Sequence, residues 1–131
     1  MNTKEIRKLS DHTYQDLTTI IVRTQKEGIH CYPNAPKEVE FLKSPHRHMF
    51  HIEAEIQVFH DDRELEFIIV KRDLDNWLHL NVDYKSCEMI AKDVLAYLHS
   101  RWDCSARYTR VDVFEDGENG ARVVRKIVKN D

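Results

Sequence analysis

The chain has 131 residues, with 20 basic and 23 acidic side chains and a net charge of −3. Hydrophobic residues make up 41% and charged residues 33%, a globular composition, and only three Gly and three Pro argue against disorder or low complexity; the charge balance argues against a general nucleic-acid footprint. One domain is expected at this length, spanning 1–131 with residues 1–16 as an N-terminal extension.

Residues 1–13 are polar, and Ile6 and Leu9 support one helical turn at most. From Leu17 the run Thr18-Thr19-Ile20-Ile21-Val22-Arg23-Thr24 is rich in β-branched residues and reads as a strand continuing to His30, with or without a bulge at Gly28. Pro33 and Pro36 force a loop, and residues 37–43 suit a short helical turn. Residues 46–60 show period-2 alternation: His46, His48, Phe50, Ile52, Ala54, Ile56, Val58 and His60 fall on one face, and the positions between them include Arg47, His51, Glu53, Glu55 and Gln57. After a polar turn at His60-Asp61-Asp62-Arg63, residues 64–70 read as the return strand of a hairpin.

A short helix is predicted within 71–82, from Leu74, Trp77 and Leu78. A longer one follows, with Cys87, Ile90, Ala91, Val94, Leu95, Leu98 and Trp102 at helical spacing and Asp83 or Ser86 as cap. Residues 107–115 alternate again, 116–120 form a turn, and 121–128 form a last strand. Strands and helices are segregated, which predicts an α+β fold: an antiparallel sheet with two helices on one face.

The eight histidines are the unusual number. His46 and His48 share the apolar face of their strand, where two imidazoles are costly unless a partner satisfies them. A metal ion is one such partner; hydrogen bonds near a sheet edge are the other. His30 ends the first strand, in phase with Ile20 and Val22 if no bulge intervenes, and Glu115 ends a later one in phase with Val111 and Val113. That carboxylate is either an ion-pair member or a ligand-binding group.

Gly28-Ile29-His30, then Pro45-His46-Arg47-His48-Met49-Phe50 running into an alternating strand, resembles the 6-pyruvoyl-tetrahydropterin synthase and 6-carboxy-tetrahydropterin synthase family. Leu65-Glu66-Phe67-Ile68, Lys85-Ser86-Cys87-Glu88 and Val111-Asp112-Val113-Phe114-Glu115 stand where the family has its Asp-Phe strand, the start of its long helix and its Val-x-Val-x-Glu strand. The resemblance covers roughly residues 18 to 127. It implies the tunnelling fold, zinc held by His30, His46 and His48, and a pterin- or purine-like ligand gripped through two N–H groups by Glu115. It also implies a homo-oligomer whose ligand sites lie between subunits.

The departures bear on catalysis. Leu42 stands where the family has its cysteine, four residues before the first histidine of the pair, and cannot be a nucleophile or base. Asp75 matches the family's aspartate, but Asn76 replaces the adjacent histidine; His79 is a candidate understudy. Arg47 replaces the glycine between the metal histidines. Cys31, beside His30, is a candidate displaced nucleophile or fourth ligand, although strand alternation turns it to the opposite face.

Elsewhere, Cys87 reads as helix core, and His12, His51 and His99 as surface or interface residues. Arg101, Arg107, Arg110, Arg122, Arg125 and Lys126 form either a solvated face or a phosphate-binding rim. Three cysteines without a C-x-x-C pair, no signal-peptide pattern and no long apolar run point to a cytoplasmic protein that binds neither membrane nor nucleic acid. Three readings stand: a binder of a pterin-, purine- or nucleotide-type molecule that has lost the family's catalysis, favoured by the missing acid–base groups; an active zinc-dependent carbon–oxygen lyase; and an oligomeric protein with a structural zinc.

Overall fold

The computed structural model describes residues 6–9, 12–126 and 128, with only the backbone of 6–9 and 12. Its elements are β1 (Ile6–Leu9), β2 (His12–Gln15), β3 (Thr18–His30), a 3-10 helix (Lys37–Lys43), β4 (His46–Val58), α1 (Phe67–Leu78), α2 (Cys87–Trp102), β5 (Thr109–Glu115) and β6 (Gly120–Arg125). The fold is α+β. An antiparallel sheet runs β3-β4-β5-β6, and β1 and β2 form a separate antiparallel pair.

The alternation of β4 has its predicted consequence. Phe50, Ile52, Ala54, Ile56 and Val58 are buried, together with Val22, Val111 and Val113 from the neighbouring strands. Against this face pack Val70, Leu74 and Leu78 of α1 and Ile90, Ala91, Val94, Leu95 and Leu98 of α2. α1 lies over β3, and α2 over β5 and β6. Ser86 caps α2 by accepting from the Met89 N–H. Asp83, the other candidate cap, instead accepts from the Ile29 N–H at the end of β3.

The opposite sheet face has a polar lattice. Arg110, 8% exposed, donates to Glu53, Glu55 and Asp112, and Arg122 donates to Asp112. Off the sheet, Arg101 of α2 pairs with Asp73 of α1, and Arg107, just before β5, pairs with Glu64. Four of the six cations proposed for a phosphate rim are thus engaged by carboxylates.

Two expectations about elements are corrected and one open alternative is resolved. Ile6–Leu9 is a strand paired with His12–Gln15, because four residues cannot repay the cost of nucleating a helix while an adjacent segment offers a ladder. β3 runs to His30 in unbroken register with β4, with no bulge at Gly28. Residues 64–70 are not a return strand. Glu66 caps α1 by accepting from the Ile68 N–H, and α1 begins at Phe67. The β-branched run suggested a strand, but Val70, Leu74 and Leu78 recur every four residues and are fully buried. β4 already has β3 on one side and β5 on the other. The last strand ends at Arg125; its predicted extension to Val128 crosses residue 127, outside the described residues.

Candidate metal centre

His30 and His46 are directly opposite each other in the β3–β4 ladder, and His48 lies two residues further along the same face. The pleat therefore projects all three imidazoles to one side, at the end of the apolar row. Their rings meet edge-on, with centroids 4.6 Å (His30–His46), 5.0 Å (His30–His48) and 4.9 Å (His46–His48) apart. Phe50 closes the cluster on the core side, 5.4 Å from the His30 ring. One nitrogen from each histidine lies within 4.8 Å of the others, a set that can hold a metal ion.

The other nitrogens settle the tautomers. His30 Nδ1 is 2.9 Å from the Lys85 carbonyl, and His46 Nδ1 is 2.8 Å from the Ser44 carbonyl. His48 Nδ1 is 2.7 Å from Asp116 Oδ2. A carbonyl or carboxylate only accepts, so each Nδ1 donates, and in the neutral imidazole each Nε2 carries a bare lone pair. Nε2 of His46 and of His48 is buried with no hydrogen-bond partner. A divalent cation fits this arrangement: neutral imidazole ligands, each oriented from behind by an acceptor.

The supports come from particular segments. Tyr84 N–H donates to the Ile29 carbonyl, and the Lys85 ammonium is held by Asp93 and by the Asn81 carbonyl, which fixes the connector carrying the Lys85 carbonyl. Asp116 has φ +54°, the first residue past β5. It exchanges backbone contacts with Met49, donating to its carbonyl and accepting its N–H on Oδ1. The His48 hydrogen bond holds its carboxyl below the usual range. Asp116 went unnoticed in the sequence; the Asp-Gly pair marked only a turn. The two carbonyls had no signal in residue type at all.

Glu115 does reach the cluster. It is paired with Phe50 across the β4–β5 ladder. Its Oε1 lies 3.4 Å from His30 Nε2 and its Oε2 3.4 Å from His48 Nε2. Cys87, at the first turn of α2, points its thiol at Glu115 Oε1 from 3.9 Å. Burial, with the Glu115 charge adding to it, pushes that thiol up to about 12, so it stays protonated. Cys87 is thus core, as its helical spacing suggested, with its sulfur at the edge of the site.

A cavity of about 740 Å³ opens beside the cluster, bordered by His30, His46, Glu115, Cys31, Leu42 and Lys85, among others. Cys31 lies past the end of β3, so strand alternation does not apply to it, and it borders this cavity rather than the opposite face. It stays outside the metal-ligating group. Leu42 also borders the cavity, presenting an aliphatic side chain where the resemblance places a thiol.

Asp75 and His79 are elsewhere. Asp75 accepts from the Thr24 hydroxyl, and His79 Nδ1 lies 3.2 Å from the Lys26 ammonium. These anchors are six and four residues back along β3 from His30, about 20 and 13 Å at ~3.3 Å per residue. Both side chains tie α1 and its end to β3, and neither borders the cavity. His99, expected at the surface, is half-buried, hydrogen-bonded to Thr109 and pushed down by desolvation. In comparison with known proteins, the chain matches no protein-family model and no curated protein.

Proposed function

We propose that this chain is a divergent relative of the 6-pyruvoyl- and 6-carboxy-tetrahydropterin synthases. In this reading it binds zinc through His30, His46 and His48, and takes a pterin-, purine- or nucleotide-type small molecule in the adjoining cavity without the family's proton-transfer chemistry. The observation that carries it is the convergence of three Nε2 atoms whose Nδ1 partners are already supplied. The cavity volume suits a small molecule, within the roughly 300–1,000 Å³ typical of such sites. Bound zinc supplies Lewis acidity and a lowered pKa for a coordinated water.

The residues on the cavity wall support a binder over a catalyst. Leu42 offers no thiol, and Asp75 and His79 are occupied on β3. The proposed assembly is a homo-oligomer joined through sheet edges, and the proposed setting is cytoplasmic; no described helix is long and apolar enough to cross a membrane. A second reading, a zinc-dependent carbon–oxygen lyase with a displaced nucleophile, has one observation in its favour, the Cys31 thiol bordering the same cavity.

Mass spectrometry of small molecules released by heat from the purified protein tests the proposal. Recovery of a pterin or nucleotide at near-stoichiometric yield is expected. Absence of any such molecule, together with failure of added pterins and purine nucleotides to bind, contradicts it. Turnover of dihydroneopterin triphosphate that is lost in Cys31→Ala would establish the lyase instead.

A further inference from the structure

Glu115 is not placed as a free ring-gripping carboxylate would be. Both its oxygens are turned onto the imidazoles, at 3.4 Å from His30 Nε2 and 3.4 Å from His48 Nε2. These separations are long for a hydrogen bond to a ring nitrogen. With each Nδ1 donating to an acceptor, the Nε2 atoms present lone pairs to a carboxylate that also presents lone pairs. Acceptors converge here from three strands, β3, β4 and β5. The only donor aimed at the carboxylate side chain among the described residues is the weak Cys87 thiol.

A cation resolves this arrangement. Ligands at about 2.0–2.2 Å from a tetrahedral zinc are separated from one another by roughly 3.3–3.5 Å. Each Glu115 oxygen stands at that spacing from one histidine nitrogen, Oε1 from His30 and Oε2 from His48. We propose that Glu115 is itself a metal ligand, making a three-histidine, one-carboxylate centre that fills the position the resemblance would leave open to water or substrate. The inference rests on metal binding by the three histidines and changes the part assigned to Glu115. A guest that draws this carboxylate onto its own N–H groups must take it from the metal, so the centre is closed while the cavity is empty.

Cobalt(II) titration of the chelator-treated, tag-free protein tests this without any assay of activity. Wild-type protein is expected to give the intense visible d–d absorption of a four-coordinate ion. Glu115→Ala and the near-isosteric Glu115→Gln are expected to weaken and shift that absorption, and to lower zinc affinity in competition with a chromophoric chelator by at least about tenfold. Glu88→Ala, another acid on the cavity wall, is expected to leave both unchanged. Far-UV circular dichroism identifies the variants that keep the fold, and Gln preserves the shape of the site where Ala does not. Glu115 variants with wild-type cobalt spectrum and zinc affinity would overturn the inference while leaving the histidine site standing. A wild-type protein that binds neither ion would overturn both.

Discussion

At the scale of single residues, the site depends on what stands behind the histidines. Asp116 is the one side chain among these supports, and it holds both His48 Nδ1 and the Met49 N–H. Asp116→Ala is expected to lower zinc affinity about 10- to 100-fold, because an imidazole without its acceptor loses both orientation and basicity. Asp116→Asn, which keeps an accepting oxygen, should fall between; chelator competition measures both. The three histidines were legible because H-x-H on a strand puts two imidazoles on one face and β3 ends in phase with them. Asp116 and the carbonyls of Ser44 and Lys85 were not, since the direction of a carbonyl depends on where a loop lands and not on which residue carries it. Glu64 gives a second prediction. The Arg107 hydrogen bonds hold its carboxyl at about 2, against an ordinary 4.5. A depressed carboxylate pKa contributes stability that is complete above the unfolded value and is lost as pH falls from about 4.5 towards 2. Glu64→Gln should remove that part of the acid dependence, as measured by urea midpoints between pH 6 and 3.

At the scale of elements, pattern length decided what could be read. β4 is legible because alternation runs along most of its thirteen residues, broken only by apolar Met49 and buried Gln57 on the other face, and α2 because its buried residues hold helical spacing over about three turns. α1 was misassigned at its start, where Phe67, Ile68 and Ile69 look like strand residues but stand half-exposed on a helix. The deciding positions were Val70, Leu74 and Leu78, only one of which lay within the misread run. Leu74→Ala is expected to cost about 2–5 kcal/mol, as for a fully buried leucine, in chemical denaturation. β3 meets β4 closely beside the histidines. A Cβ on Gly28 would lie 2.9 Å from Phe50 Cε2 and 3.3 Å from Val82 Cγ2. Gly28→Ala should therefore displace the Phe50 ring that packs on His30 and His48, lowering stability by about 1–3 kcal/mol. Thermal unfolding of the metal-free protein reads that cost apart from any effect on the ion.

Over the whole molecule, the sheet separates two kinds of chemistry. Its helix-covered face carries the apolar core and, at one end, the histidines and Glu115. Its other face carries charges that neutralise one another, with Arg110 shared among Glu53, Glu55 and Asp112. The α+β class and the one-sided core followed from segregated strands and helices. The pairing of β4 with β5 did not, because local sequence cannot tell whether a strand's partner is the next segment or one fifty residues on. The end of this sheet is proposed as a metal centre built by His30, His46 and His48. Elemental analysis of tag-free protein, purified with zinc present and dialysed, tests it most directly. The expected result is about one zinc per chain in the wild type, falling to near zero in His46→Ala and His48→Ala proteins that keep the wild-type circular dichroism. Wild-type protein with no bound metal, or histidine variants that retain full occupancy, would contradict it.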